Sequence, residues 1–411
     1  MSDVHGPTRR SLLRAIAGLL SAPALSAARG AARGVVSLHV PQPMAQIHVG
    51  AGGELLAVSA AGALWQYAGS RWTQRATGLD SGAPIASGHG RVAGRSATGG
   101  LWVPESDRVS ISRGPVLARH AISLILPFGI LGVMQGSGDA AFVVRLEPGA
   151  SGDWIETARS FDTVLPDARP LQVNLDRPGS ADDGHIAVLA GPDAQRYRHG
   201  ALGDTTEAMR MLYPERHGLA PLRSLTLPAP HVFEDIAPRP IVWQEGAGLL
   251  TVHSGPGGAQ LATVGASRDR RDALEIRIMG APIGTANRWM APTTDGTRLL
   301  AVHTPHIGGV LHEYRVEGAE LPSRVVISGV SNHVLGQREL DLASWVDSHL
   351  LLPAQDRRQL RVFDAAVDWS ERSPLDLPAP VVAPRALRLD RRPGCALLLE
   401  DRTVAWATLK A

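Results

Sequence analysis

Gly246-Ala247-Gly248-Leu249-Leu250-Thr251-Val252-His253 recurs 50 residues later as Gly296-Thr297-Arg298-Leu299-Leu300-Ala301-Val302-His303. In both copies a glycine leads into a short apolar run that closes on a histidine. Nearer the start, Gly62-Ala63-Leu64-Trp65 returns as Gly99-Gly100-Leu101-Trp102, an offset of 37. The runs are too short for helices, and Gly, Asp, Asn or Pro separates them, as strands and turns require. Self-similarity at roughly 40 to 50 residues, built from strands alone, indicates a β-propeller.

Strand pairs follow along the chain at 55–67, 91–103, 130–146, 185–198, 249–264, 299–316, 350–363 and 396–409. A propeller blade is a four-stranded meander. Residues 45–49, 55–59, 63–68 and 71–76 supply one complete blade, and 288–292, 299–304, 310–316 and 324–328 another. Eight such units fit between residues 35 and 411; seven is the alternative, because the stretch 121–160 is irregular. The last unit has three strands, so Val35–Val40 is expected to supply its outer one and close the ring, removing edges that would otherwise template aggregation. Residues 200–221 and 266–273 read as insertions. The expected fold is all-β, a single propeller domain over residues 35–411.

Composition narrows the partners. The 411 residues hold 44 Gly and 30 Pro, as many turns demand. Thr8-Arg9-Arg10-Ser11-Leu12-Leu13-Arg14, an apolar stretch to Ala28 and small residues at Ser26-Ala27-Ala28 read as a twin-arginine signal peptide over residues 1–28. Its apolar part is shorter than the ~20 residues that span a bilayer. The expected compartment is the periplasm, with no membrane insertion after cleavage. Without residues 1–28 the chain carries 38 basic and 38 acidic residues, which argues against nucleic acid as partner. A monomer is expected. The one cysteine, Cys395, lies in an apolar run and reads as a buried strand residue rather than a nucleophile.

Five stretches carry a likeness to a known group: Tyr197-x-His199-Gly200-x-Leu202-Gly203-Asp204, Val232-Phe233-Glu234-Asp235-Ile236-Ala237-Pro238-Arg239, Ile283-Gly284-x-x-x-Arg288-Trp289-x-Ala291-Pro292, Pro305-His306-x-Gly308 and Ser331-Asn332-His333-x-x-Gly336. In order and spacing, residues 196–364 resemble exported bacterial propellers of the FG-GAP or VCBS repeat type. The resemblance implies a propeller, and calcium-binding Asp-x-Asp-Gly-Asp-Gly loops in the innermost turns. This chain departs there, with Val242-Trp243-Gln244-Glu245-Gly246 and Pro292-Thr293-Thr294-Asp295-Gly296. One carboxylate per loop is too few for a cation that takes six to eight oxygens. Asp182-Asp183-Gly184 is the remaining weak metal candidate, and it reads better as a turn. No cofactor is expected.

Propeller geometry places several of these motifs on one face. Glu234-Asp235, Arg288-Trp289 and Asn332-His333 each precede an innermost strand, and His306 lies between the second and third strands of its blade. Glu234, Asp235, Arg288, Trp289, His306, Asn332 and His333 therefore form the candidate ligand-binding set. Arg288 suits a carboxylate or phosphate. Glu234 with His306 or His333 suits acid–base work if hydrogen-bonded. The alternative is that these groups fasten neighbouring blades. His253 and His303 occupy equivalent strand ends and read as turn caps rather than metal ligands. No P-loop, dinucleotide fingerprint, nucleophile elbow or zinc spacing occurs, so no catalytic residue is assigned. The sequence thus points to a non-catalytic propeller binding a protein partner or small polar ligand. A hydrolase or lyase on the same face and a structural interaction module are the alternatives.

Overall fold

The computed structural model describes residues 34–138, 140–177, 184–243 and 246–409. The signal-peptide reading and the Asp182-Asp183 pair fall outside them. Among the described residues every regular element is a strand, and the strands form successive antiparallel meanders. Sheet I holds Met44–Val49, Leu55–Ser59, Leu64–Ala68 and Arg71–Ala76. Sheet II holds Ala86–Gly88, Arg91–Arg95, Leu101–Pro104 and Val109–Ile111. Sheet III holds Leu124–Leu126, Gly129–Gln135, Ala141–Pro148 and Trp154–Arg159. The stretch expected to be irregular is thus an ordinary meander.

Sheet IV holds Leu171–Val173, His185–Asp193, Glu207–Pro214 and Pro221–Thr226. This corrects the expectation of a strand pair at 185–198 followed by an insertion. The third strand lies inside the supposed insertion, after a long loop. It opens on a buried carboxylate, Glu207, where an apolar residue would normally announce a strand. Sheet V holds Arg239–Trp243, Gly246–Gly255, Gly258–Ala266 and Leu274–Met279. The two-residue strand Val232–Phe233 pairs with both Glu207–Pro214 and Gly246–Gly255, joining sheets IV and V. Sheet VI holds Met290–Thr293, Leu299–His303, Val310–Tyr314 and Ser323–Ser328. In sheet VII, Ser344–Val346, His349–Pro353 and Gln359–Asp364 are flanked by two short strands, Ser370–Glu371 and Leu375–Asp376. Sheet VIII takes Val381–Leu389, Arg392–Leu399 and Val404–Thr408 from the end of the chain and Val35–Ser37 from its beginning; Val35 lies opposite Ala407 and Ser37 opposite Ala405.

The repeated glycines have one physical cause. Gly62, Gly99, Gly246 and Gly296 all have φ between 76° and 117°, where a side chain is strained. At Gly62 a Cβ would also sit 2.2 Å from the Leu79 carbonyl oxygen. After Gly246 and Gly296 the apolar runs are second strands, and after Gly62 and Gly99 they open third strands; second strands can be buried on both faces, as in Leu55–Ser59, where every residue is buried. Fourth strands face water, as in Arg71–Ala76, and so leave little apolar signal. Apolar clusters fill the spaces between consecutive sheets. Leu56, Val58, Leu79, Ile85 and Trp102 lie between I and II, and Leu300, Val302, Leu350, Leu352 and Phe363 between VI and VII. Met44, Ile47, Leu55, Ala396, Leu398 and Trp406 pack sheet VIII against sheet I. Cys395 is fully buried in its strand, and burial pushes its thiol up to about 12.

Val35–Ser37 covers the edge of Val404–Thr408. Truncation before Leu38 should therefore lower the melting temperature and cause concentration-dependent self-association, relative to a truncation that removes only residues 1–33. Light scattering and thermal melting check this. Equal melting and equal monodispersity of the two forms would refute it.

Candidate functional site

The family-like motifs lie together but are mostly sealed. Glu234 and Asp235 follow Val232–Phe233, and both are fully buried. Glu234 accepts from Ser254 Oγ at 2.5 Å and from His199 Nδ1 at 2.5 Å. Its main-chain carbonyl accepts from Trp289 Nε1 at 3.0 Å. Burial raises its carboxyl above the usual range. Asp235 turns the other way, accepting from the Ile236 and Ala237 amides, Thr251 Oγ1 and Arg239.

Trp289 is buried and stacks on His306 at 5.9 Å, with His333 edge-on at 4.8 Å. His333 Nε2 meets the Gln337 carbonyl at 2.8 Å and must donate to it. His333 Nδ1 is then a lone pair that accepts from His306 Nε2 at 2.8 Å, which fixes the His333 ring as neutral. Burial, then the neighbouring ring, lowers His333 to about 3. Burial, then His199, lowers His306 to about 4. Asn332, fully buried, donates Nδ2–H to the Ala291 carbonyl at 3.0 Å.

Of the candidate set, the structure therefore brings Glu234, Trp289, His306 and His333 into one cluster. Asn332 ties sheet VII to sheet VI, and Asp235 holds its own turn. Arg288 is exposed, and its guanidinium makes no hydrogen bond or ion pair among the described residues. The pairing of Glu234 with His306 or His333 is corrected: its histidine is His199, from the loop between the second and third strands of sheet IV. That residue stood in the first family-like motif but outside the candidate set. Glu234 and His199 satisfy the distance for acid–base work, yet the carboxylate has no solvent-exposed surface. His253 and His303 are not turn caps. His253 stacks on His231 at 4.8 Å, and His303 stacks on His312 at 3.6 Å and meets the Tyr314 hydroxyl at 2.6 Å.

Sequence reasoning missed a cavity of about 550 Å³. It is lined by the innermost strands of sheets I and VIII and by the segments leading into those of II, III, IV and VII. One side is polar: Arg169, Gln337, Arg338, Glu339, Asp341 and Arg385. Arg338 donates Nε–H to buried Asp167 at 2.7 Å and its other edge to Asp204. Arg385 donates to Glu339 Oε2 at 2.6 Å and to the Pro384 carbonyl. Burial alone would raise the Glu339 carboxyl, but Arg385 and then Arg169 hold it below its usual value. Arginines just ahead of or within first strands were the available signal, but they share no motif. Among the described residues no group of three or more His, Cys, Asp or Glu is placed to hold a metal, and no helix is long and apolar enough to cross a membrane.

No protein-family profile matches the chain, and no curated protein sequence does. Solved structures do resemble it. Sqt1 of Saccharomyces cerevisiae has a TM-score of 0.61 at 9% identity, over 92% of this chain and 98% of that one. The computationally designed protein Ika8 has a TM-score of 0.55 at 8% identity, over 91% and 98%. The β-propeller domain of Cps50 (Swd1) from Myceliophteria thermophila has a TM-score of 0.45 at 12% identity, over 90% and 98%. At 9% identity the likeness to Sqt1 is one of fold, and with the successive four-stranded antiparallel sheets it makes the chain a β-propeller.

Proposed function

We propose that this protein is an exported, non-catalytic binding propeller that takes a small polar ligand at one face of its ring. The observation that carries this reading is the cavity of about 550 Å³, within the range of small-molecule sites, walled by innermost segments from six sheets. In this reading the sheets are eight blades, Val35–Ser37 closes the ring, and the protein works as a monomer in the periplasm after twin-arginine export. A protein partner on the same face is the alternative occupant. The five motifs' likeness to FG-GAP or VCBS propellers supports the export and ring readings. The sealed cluster of Glu234, Trp289, Asn332 and His333 speaks against a hydrolase or lyase, because substrate has no access to the carboxylate.

Native mass spectrometry of the protein purified from the periplasmic fraction tests this. The wild type should carry a small-molecule adduct that Ser81→Trp, which fills the cavity, lacks. Replacing Arg9 and Arg10 by Lys should leave the chain in the cytoplasm. Identical bound species in wild type and Ser81→Trp would sink the cavity reading, and a periplasmic Arg9, Arg10 variant would sink the export route.

A further inference from the structure

The three cavity arginines are not equivalent. Arg338 has carboxylates on both edges, and Arg385 is held by Glu339 and a carbonyl. Arg169 uses one terminal nitrogen on the Arg338 carbonyl. Its Nε has no partner among the described residues, and its nearest carboxylate, Asp341 Oδ2, stands at 3.8 Å from NH1, beyond hydrogen-bonding range. The Asp341 side chain is 63% exposed, so it is free to swing away. Glu339 does not take its place: one oxygen accepts from Arg385 and the other from the Asp341 amide. Arg169, 15% exposed, is thus the guanidinium with unused donors.

Arginine charge reaches two histidines of the lining, against the opposing pull of Asp204 and Asp80 at His120. Burial and then Arg385 push His48 down to about 4, and burial, then Arg338 and Arg119, lower His120. Ser87 gives its hydroxyl hydrogen to the Val49 carbonyl, so His48 Nε2 donates to Ser87 Oγ. Ile47, Val49, Ile85, Ile122, Val382 and Leu398 supply apolar lining among these polar groups.

Resting on the cavity reading above, we infer that the ligand is an organic anion with an apolar body. Its carboxylate displaces Asp341 and takes the NH1 end of Arg169, while its aliphatic or aromatic part lies against the apolar side chains of the lining. A charge-assisted bond from this guanidinium in a half-buried site is worth more than a neutral one.

Calorimetric titration of the purified protein with acetate, hexanoate, benzoate, hexanamide, hexylamine and inorganic phosphate tests this. Hexanoate and benzoate should bind about tenfold or more tightly than acetate, phosphate, hexanamide or hexylamine. Arg169→Met should weaken hexanoate binding by about tenfold or more, with Arg169→Lys intermediate. Asp341→Asn should strengthen it, which keeps the proposal testable if Arg169→Met fails to fold. Hexanamide or hexylamine binding as well as hexanoate, and lost in Ser81→Trp, would overturn the anion while leaving the small-ligand cavity standing. Phosphate matching hexanoate would overturn the apolar body. No binding by any probe, or binding unchanged in Ser81→Trp, would overturn both.

Discussion

Trp289→Ala should lower the unfolding free energy by about 3–5 kcal/mol, whereas Arg288→Ala, one residue earlier, should stay within about 0.5 kcal/mol of wild type. The two side chains leave the same segment in opposite directions. Trp289 is 2% exposed, holds the Glu234 carbonyl through Nε1 and packs against two histidines from sheet VI and the segment leading into sheet VII. Its removal opens a cavity between three sheets and leaves a buried carbonyl without its donor, two independent costs. Arg288 is solvated and contacts nothing that would be stranded. Urea unfolding of both variants decides whether these residues fasten sheets or serve a ligand. A neutral Trp289→Ala, or an Arg288→Ala as damaging as Trp289→Ala, would contradict fastening.

The sequence carried the fold where backbone need and burial coincide. Gly62, Gly99, Gly246 and Gly296 sit in conformations other residues rarely adopt, and the doubly buried strands beside them hold little that is polar. The signal fails where a strand is exposed, as at Arg71–Ala76, or carries a buried acid, as at Glu207–Pro214. The site was less legible for a different reason. Glu, Trp, Asn and His serve ligands and inter-sheet fasteners alike, and only burial separates the two uses. Glu234 and Asn332 have no exposed surface, and nothing in their neighbours' identities announces it. The cavity is harder still. Arg338 meets Asp167 across 171 residues of chain, and Arg169, Arg338 and Arg385 share no local pattern. Their convergence is a property of how sheets far apart in the chain pack and is invisible to any window of sequence.

Acid should unfold this protein well above the range where carboxylates alone would act. Burial lowers His333 to about 3 and His253 to about 4, and their residues are 1% and 6% exposed. His48, His303 and His306, less deeply placed, are lowered to about 4. Each is neutral in the fold and takes a proton when unfolded below the ordinary 6.5. Their stabilisation is thus complete above pH 6.5 and is lost as pH falls through the window down to the folded values. The two buried rings alone remove about 1.4 kcal/mol each per pH unit in that window, against a typical total of 5–15 kcal/mol. Three buried carboxyls oppose them, Glu234, Asp167 and Glu207, each raised first by burial. Glu207 is 2% exposed, and burial, then Glu234, raises its carboxyl well above the usual value, so the fold keeps its proton. Its contribution is full below 4.5 and is lost as pH rises through the raised value. Urea midpoints should therefore fall steadily from neutral pH to about pH 4.5. Glu207→Gln, which deletes one of the opposing contributions, should widen the difference between the two ends. A midpoint that is flat across this range, or a Glu207→Gln profile parallel to wild type, would show that these groups are not held in the protonation states the packing imposes.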